Sequence, residues 1–222
     1  MVSSKTALIG GVIGFLGSLI ALCGIIGAAL LYQSACPFRP FFIRQPIPIF
    51  IPIPNTGYNA LVQHVSELGV GPTSYMFNTS LILAGVLAVP FFICLLQPLG
   101  GSWTARIGVA SGIVAFIGLI GLAVYTETQY AAHIFFSNVF FIFILASIVL
   151  ITYTIRSSDF FTRVHVWLGV ILVAADIVFF VLIFTTGFSA VMEWAVVLIL
   201  SLIHISEPTR PRLISYAVFC LK

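Results

Sequence analysis

The sequence has 222 residues, 61% of them hydrophobic and 7% charged, with a formal net charge of +3 and a mean hydropathy of +1.21. A soluble domain carries about 45–50% apolar and about 25% charged residues, so a soluble enzyme, a nucleic-acid-binding domain and a disordered regulator are all excluded. What remains is an integral membrane protein, with room for five or six helices of roughly 20 apolar residues each.

The first apolar run, residues 7–32, carries no charge between Lys5 and Arg39. It is too long for a cleaved signal and lacks a small-residue cleavage site, so it reads as a retained span. A long loop, 33–75, follows. Within it, Gln45-Pro46-Ile47-Pro48-Ile49-Phe50-Ile51-Pro52-Ile53-Pro54 alternates proline with bulky apolar residues. Proline blocks both helix and central-strand pairing, which predicts extended chain lying on the outer interface or on the bundle. Asn55-Thr56-Gly57 signals a turn, and 59–68 predicts a short amphipathic helix with Gly69 as its C-cap.

The second span covers 76–97 and closes at Pro98-Leu99-Gly100-Gly101. The third covers 103–125, the fourth 129–154 and the fifth 164–187, and a sixth opens at Val191. In lipid every backbone polar group must find its partner within the protein, which makes these runs helices. The ten-residue alternation of a β-barrel is absent. The expected fold is a single all-α domain, 1–199, built as a six-helix transmembrane bundle with one long extracytoplasmic loop.

The sixth span is expected to be truncated. Residues 200–222 read as the conceptual translation of a sequencing-library adapter: a transposase end through Arg210, an index over Pro211-Arg212-Leu213, then a flow-cell adapter to Leu221. Such a segment is excluded from fold reasoning. Without Arg210, Arg212, Lys222 and Glu207, six Lys/Arg face five Asp/Glu, a net charge of +1. No acidic partner is implied. Cys23 and Cys94 lie in apolar runs and Cys36 in the loop, without metal or disulfide spacing. The first two are expected to be buried structural residues.

Lys5, Arg106, Arg156 and Arg163 fall on one side of the membrane, and Arg39 and Arg44 on the other. By the positive-inside rule the N-terminus is cytoplasmic, in a multi-pass protein of the cell membrane. Trp103, Tyr125 and Tyr130 suit the interfacial belt. Gly10/Gly14 and Gly108/Gly112 are spaced for close helix approach, first within the chain and secondarily in a homo-oligomer. No internal repeat of the secondary-transporter kind is visible.

In this topology Glu67, Asn78, Glu127, His133 and Glu193 all gather at the outer mouth, with His133 and Ser137 on one helix face. Ionisable groups at membrane depth pair with one another or line a functional cavity. Three readings stay open: a hydrogen-bonded cluster pinning the loop to the bundle, a pocket for a lipid headgroup or small ligand, and a catalytic or metal site. His64-x-x-Glu67 with His133 and Glu193 has zinc-ligand types but no recognised spacing, so no metal or cofactor is assigned. His133 is expected to contact either Ser66-Glu67-Leu68-Gly69 or Glu193. Asp176, midway along the fifth span, is either a protonated acid bonded to a neighbouring helix or a proton or cation relay. Asn78-Thr79-Ser80 matches a glycosylation sequon but opens a helix too close to the membrane to serve as one.

Val65-Ser66-Glu67-Leu68-Gly69-Val70-Gly71, followed by Met76-Phe77-Asn78-Thr79-Ser80-Leu81-Ile82-Leu83-Ala84-Gly85, resembles the archaeal and bacterial six-helix membrane family known as domain of unknown function 998. That family has a similar serine, acidic residue, Leu-Gly element and a Phe-Asn pair opening its second helix. Its fourth-helix histidine is matched by His133 and its sixth-helix acid by Glu193. The resemblance spans roughly residues 7–199. The family is distantly similar to the DRAM-like and Frag-like six-span membrane proteins, which implies lipid handling without an activity. Two functions follow as expectations. The first is a non-enzymatic membrane protein binding lipid or a partner at the outer mouth; the second is a small secondary transporter or proton-coupled carrier using Asp176.

Overall fold

The computed structural model describes residues 4–32, 39–41, 49–51, 58–60, 63–157, 161–186, 191, 193–195 and 197. The expectations for Cys36, Arg44 and the segment 200–222 fall outside the described residues. Five helices are long and apolar enough to cross a membrane: α1 (Ser4–Leu31), α2 (Ser74–Leu95), α3 (Trp103–Val124), α4 (Tyr130–Ile155) and α5 (Arg163–Thr186). Each boundary lies within three residues of the apolar run that predicts it. Val191, Glu193, Trp194, Ala195 and Val197 are helical as well, where a sixth span is expected to open. Among the described residues five spans are complete.

The long loop departs from expectation twice. Of its proline-rich stretch only Ile49–Ile51 is described, and it pairs: β1 (Arg39–Phe41) and β2 (Ile49–Ile51) form an antiparallel ribbon with Pro40 opposite Phe50. Both strands of such a ribbon are edges, where proline's missing N–H is tolerated. The helix expected over 59–68 is only a 3-10 turn, Val65–Gly69. Gly69 is not its left-handed cap either, because the described glycines with positive φ are Gly100 and Gly101. Gly69 is needed for proximity instead. A Cβ there would come within 2.8 Å of Asn78 Oδ1, and its carbonyl accepts a 3.1 Å bond from Asn78 Nδ2.

Consecutive helices pack in an antiparallel row, α1 on α2, α2 on α3, α3 on α4 and α4 on α5. The α2–α3 link is a tight turn in which Gly100 and Gly101 adopt φ of 74° and 65°, a region side chains disfavour. Ser102 then caps α3, its Oγ accepting from the Ala105 N–H at 3.2 Å, as N-cap serines do. Pro90 sits inside α2, so the Val86 carbonyl lacks its usual helical donor.

No helix has a polar face, and many large apolar side chains (Leu8, Leu30, Val86, Phe135, Phe184 among them) are exposed. An all-round apolar helix belongs in a membrane. Trp103, Tyr125 and Tyr130 are likewise exposed near helix ends. Inside, Phe92, Phe116 and Phe140 continue from one helix to the next as an aromatic ladder with ring centroids 5.7 and 6.1 Å apart. The small residues pack within the chain: Gly10 and Gly14 against Cys94 and Phe91 of α2, Gly108 against Leu150 and Ile151 of α4, Gly112 against Phe92. Ser147 Oγ donates a buried 2.8 Å bond to the Gly108 carbonyl across the α3–α4 interface. Cys23 corrects the expectation of burial. It is exposed on α1, while Cys94 is half-buried; a thiol is apolar enough to face lipid.

Candidate functional site

One end of the bundle is closed by a polar cap built around the turn Val65–Gly69. The turn is short, so its first N–H groups have no helical acceptor. Partners come from the turn itself and from three other elements. Glu67 reaches back to accept from the His64 N–H at 3.0 Å. Glu193, among the helical residues after α5, accepts from the Val65 N–H through Oε2 at 3.0 Å, and the same oxygen lies 3.0 Å from His64 Nδ1. Ser66 Oγ donates a 2.6 Å bond to Glu127 in the α3–α4 link. Asn78, in the first turn of α2, holds the Gly69 carbonyl.

An aromatic clasp reinforces this. The Tyr58 hydroxyl accepts a 2.8 Å bond from Trp194 Nε1 and lies 3.1 Å from the carbonyls of Gln63 and His64, to which it donates. The Tyr58 ring meets Tyr32 edge-on with centroids 5.7 Å apart. Thus α1, the loop and the residues after α5 are tied together by one side chain.

Burial is the largest influence on the His64 imidazole and lowers its pKa. The hydrogen bond to Glu193 and the negative charges of Glu193, Glu67 and Glu127 together outweigh it, raising the value above the ordinary 6.5. His64 and Glu193 therefore form an ion pair whenever the ring is protonated.

Beneath the cap lies a cavity of about 140 Å³, roughly ten times what one water needs. Its wall is drawn from α1, α2, α3, α4, the cap turn and the residues after α5. Ser66, His133, Ser137 and Glu193 line it at the cap end; Ile13 and Phe91 line it deep in the bundle. At 1.5 Å per residue, the lining of α2 from Phe77 to Phe91 runs roughly 20 Å along the axis. His133 is buried, and its Nδ1 lies 2.8 Å from the Tyr125 carbonyl. A carbonyl only accepts, so Nδ1 carries the hydrogen.

The structure thus brings Ser66, Glu67, Asn78, Glu127 and Glu193 into one network and places His133 in the cavity wall below it. It re-partners two of them: Glu193 bonds His64 and Val65, and His133 bonds the Tyr125 carbonyl. The Val65 N–H and the His64 ring take the Glu193 oxygen, each at 3.0 Å. Tyr58 and Trp194 are cap residues that the sequence reasoning did not select, and His64 entered it only as a zinc-type ligand beside Glu67, His133 and Glu193. A signal existed for His64, which immediately precedes the Val-Ser-Glu-Leu-Gly element. Asp176 stands apart, buried in α5. Of the two readings of Asp176, the hydrogen-bonded acid has no partner for either carboxyl oxygen among the described residues. Among those residues no three His, Cys, Asp or Glu side chains converge on a common metal position.

Comparison with known sequences adds one match. The model of a family described as "Protein of unknown function (DUF998)" covers residues 47–206. It takes in the cap turn, α2 to α5 and the helical residues beyond, but starts after α1, later than the resemblance over 7–199 implied. No curated protein and no solved structure matches the chain.

Proposed function

The chain belongs to the DUF998 family of proteins of unknown function, and on that premise we propose that it is a membrane protein that binds a single lipid in its central cavity. The headgroup sits against Ser66, His133 and Glu193 under the cap, and an acyl chain lies between the helices. The observation that carries this reading is the shape and chemistry of the cavity. It is a slot roughly 20 Å long, apolar along its depth and polar at one end. That length exceeds the hydrocarbon depth of one leaflet, about 15 Å as half of the bilayer core. An amphiphile inserted from the interface has this same division.

Positive charge orients the molecule. Lys5, Arg106, Arg156 and Arg163 lie at the end opposite the cap, so the cap faces the extracytoplasmic side of the cell membrane. The protein acts by holding a lipid, not by transforming it.

Native mass spectrometry of the detergent-purified full chain tests the reading. The expected spectrum contains a lipid-sized adduct that resists activation. Ala84→Phe, which places a ring in the cavity wall, should remove the adduct while the protein stays monodisperse. A wild-type spectrum without adduct, or an adduct unaffected by Ala84→Phe, would overturn it.

A further inference from the structure

Asp176 lies on one face of α5 with Leu172, four residues before it, and Phe179, three after. All three are buried, and Asp176 is 1% exposed. Leu172 and Phe179 pack against Phe141 and Ile148 of α4, which are two helical turns apart. The carboxyl is therefore held at the α4–α5 interface, level with the stretch between Phe141 and Ile148. That stretch of α4 carries no titratable residue. Both carboxyl oxygens are buried without a hydrogen-bond partner among the described residues.

Three of these residues, Phe141, Ile148 and Leu172, also line cavities. Phe141 lines the cap-end cavity. Leu172 and Ile148 line a second cavity of about 70 Å³ between α2, α4 and α5, toward the opposite end of the bundle. Ser147, Thr152 and His165 give that second cavity a polar wall. Asp176 thus shares the α4–α5 interface with residues that line two spaces, one toward each end of the bundle. The nearest titratable groups along those spaces are His133 and Glu193 at the cap end and His165 at the other.

As a packing element this carboxyl is a liability. Leaving a buried polar group unsatisfied destabilises the fold, and an ionised one in apolar surroundings does so more. We propose that Asp176 is a proton-binding site reached alternately from the two cavities, past Phe141 from the cap end and past Leu172 and Ile148 from the other. When the Phe141 ring swings aside, a hydronium ion in the cap-end cavity gives its proton to the carboxylate. An O–H bond forms at Asp176, one breaks in hydronium, and water remains. The neutral acid tolerates the dry interface while Phe141 recloses. Movement of Leu172 and Ile148 then lets water in the second cavity take the proton and restores the carboxylate. This inference is independent of lipid binding.

The test uses the full chain in proteoliposomes of neutral phospholipid that enclose a pH-sensitive dye, with a potassium diffusion potential as driving force. Expected is proton entry by the wild type, loss of that entry in Asp176→Asn, and its retention in Asp176→Glu, which keeps a titrating group. Infrared spectroscopy of the wild type should contain a carboxylic-acid carbonyl band that bleaches as pH rises. Equal flux in the wild type and Asp176→Asn would overturn the proposal, as would a carboxylic band that persists at every pH. Flux driven by a sodium gradient at equal pH would reassign the site to a metal cation and equally overturn it. Should Asp176→Asn fail to fold, the wild-type infrared titration decides.

Discussion

His64 Nδ1 and Glu193 Oε2 lie 3.0 Å apart across a sequence separation of 129 residues. The pair ties the loop before α2 to the helical residues after α5. Protonation of the ring strengthens it.

The sign of the pH dependence follows from the raised His64 pKa. A group whose pKa is higher in the folded state contributes stability that is complete below its unfolded value, here about 6.5. That contribution disappears as pH rises through the folded value. Cap docking should therefore weaken on going from mildly acidic to alkaline pH, with Glu193, Glu67 and Glu127 as the opposing charges. Thermal midpoints of the wild type should fall over that range, and those of His64→Gln should not. Parallel curves would remove His64 from the account.

Removing the acceptor at the other side of the pair should be the more damaging change. Glu193→Ala removes the acceptor of the Val65 N–H and the carboxylate partner of His64 Nδ1, a loss of about 1–3 kcal/mol. Tyr58→Phe keeps the ring contact with Tyr32 but deprives Trp194 Nε1 of its acceptor, at about 1 kcal/mol. Amide hydrogen exchange across the cap turn should accelerate in both variants, and unchanged protection would argue against the latch.

Two glycines should separate packing from propensity. A Cβ at Gly118 of α3 would meet the Phe140 backbone nitrogen at 2.9 Å, whereas at Gly11 of α1 nothing lies within 4 Å. Gly118→Ala must push α3 and α4 apart and should cost about 1–3 kcal/mol. Gly11→Ala should be neutral or stabilising by up to about 1 kcal/mol, the difference in helix propensity. Unfolding midpoints of the two variants, measured in the same detergent, check the contrast.

Orientation is open to thiol labelling in intact cells. Cys36 belongs to the loop that follows α1 in the sequence, and a cysteine introduced at exposed Ser157 marks the end opposite the cap. A membrane-impermeant reagent should modify the first and spare the second. The reverse pattern would turn the cap toward the cytoplasm.

The helices were legible because apolar runs broken by charge and glycine leave few alternatives in lipid. The gathering of Ser66, Glu67, Asn78, Glu127 and Glu193 at one end followed from helix count alone. Their pairings did not. Which donor claims Glu193 depends on the loop forming a 3-10 turn at Val65–Gly69, which hydropathy does not register. The cavity was illegible for a related reason: it exists where Gly14, Gly17, Ala21, Ala84 and Ala88 happen to face one another, and facing is a property of helix rotation. Cys23 illustrates the same limit, since an apolar run does not say which of its sides meets lipid.

The latch also sets a clock on biosynthesis. Translation proceeds at about 5–20 residues per second, so the 129 residues between His64 and Glu193 take about 6–26 s to follow. During that interval α2 to α5 are being inserted while His64, the Val65 N–H and the Tyr58 hydroxyl still await Glu193 and Trp194. A nascent chain halted anywhere before residue 193 carries an unfastened lid on an otherwise inserted bundle. It is thereby distinguishable, by an exposed loop on one face of the membrane, from a chain that has been made past that point.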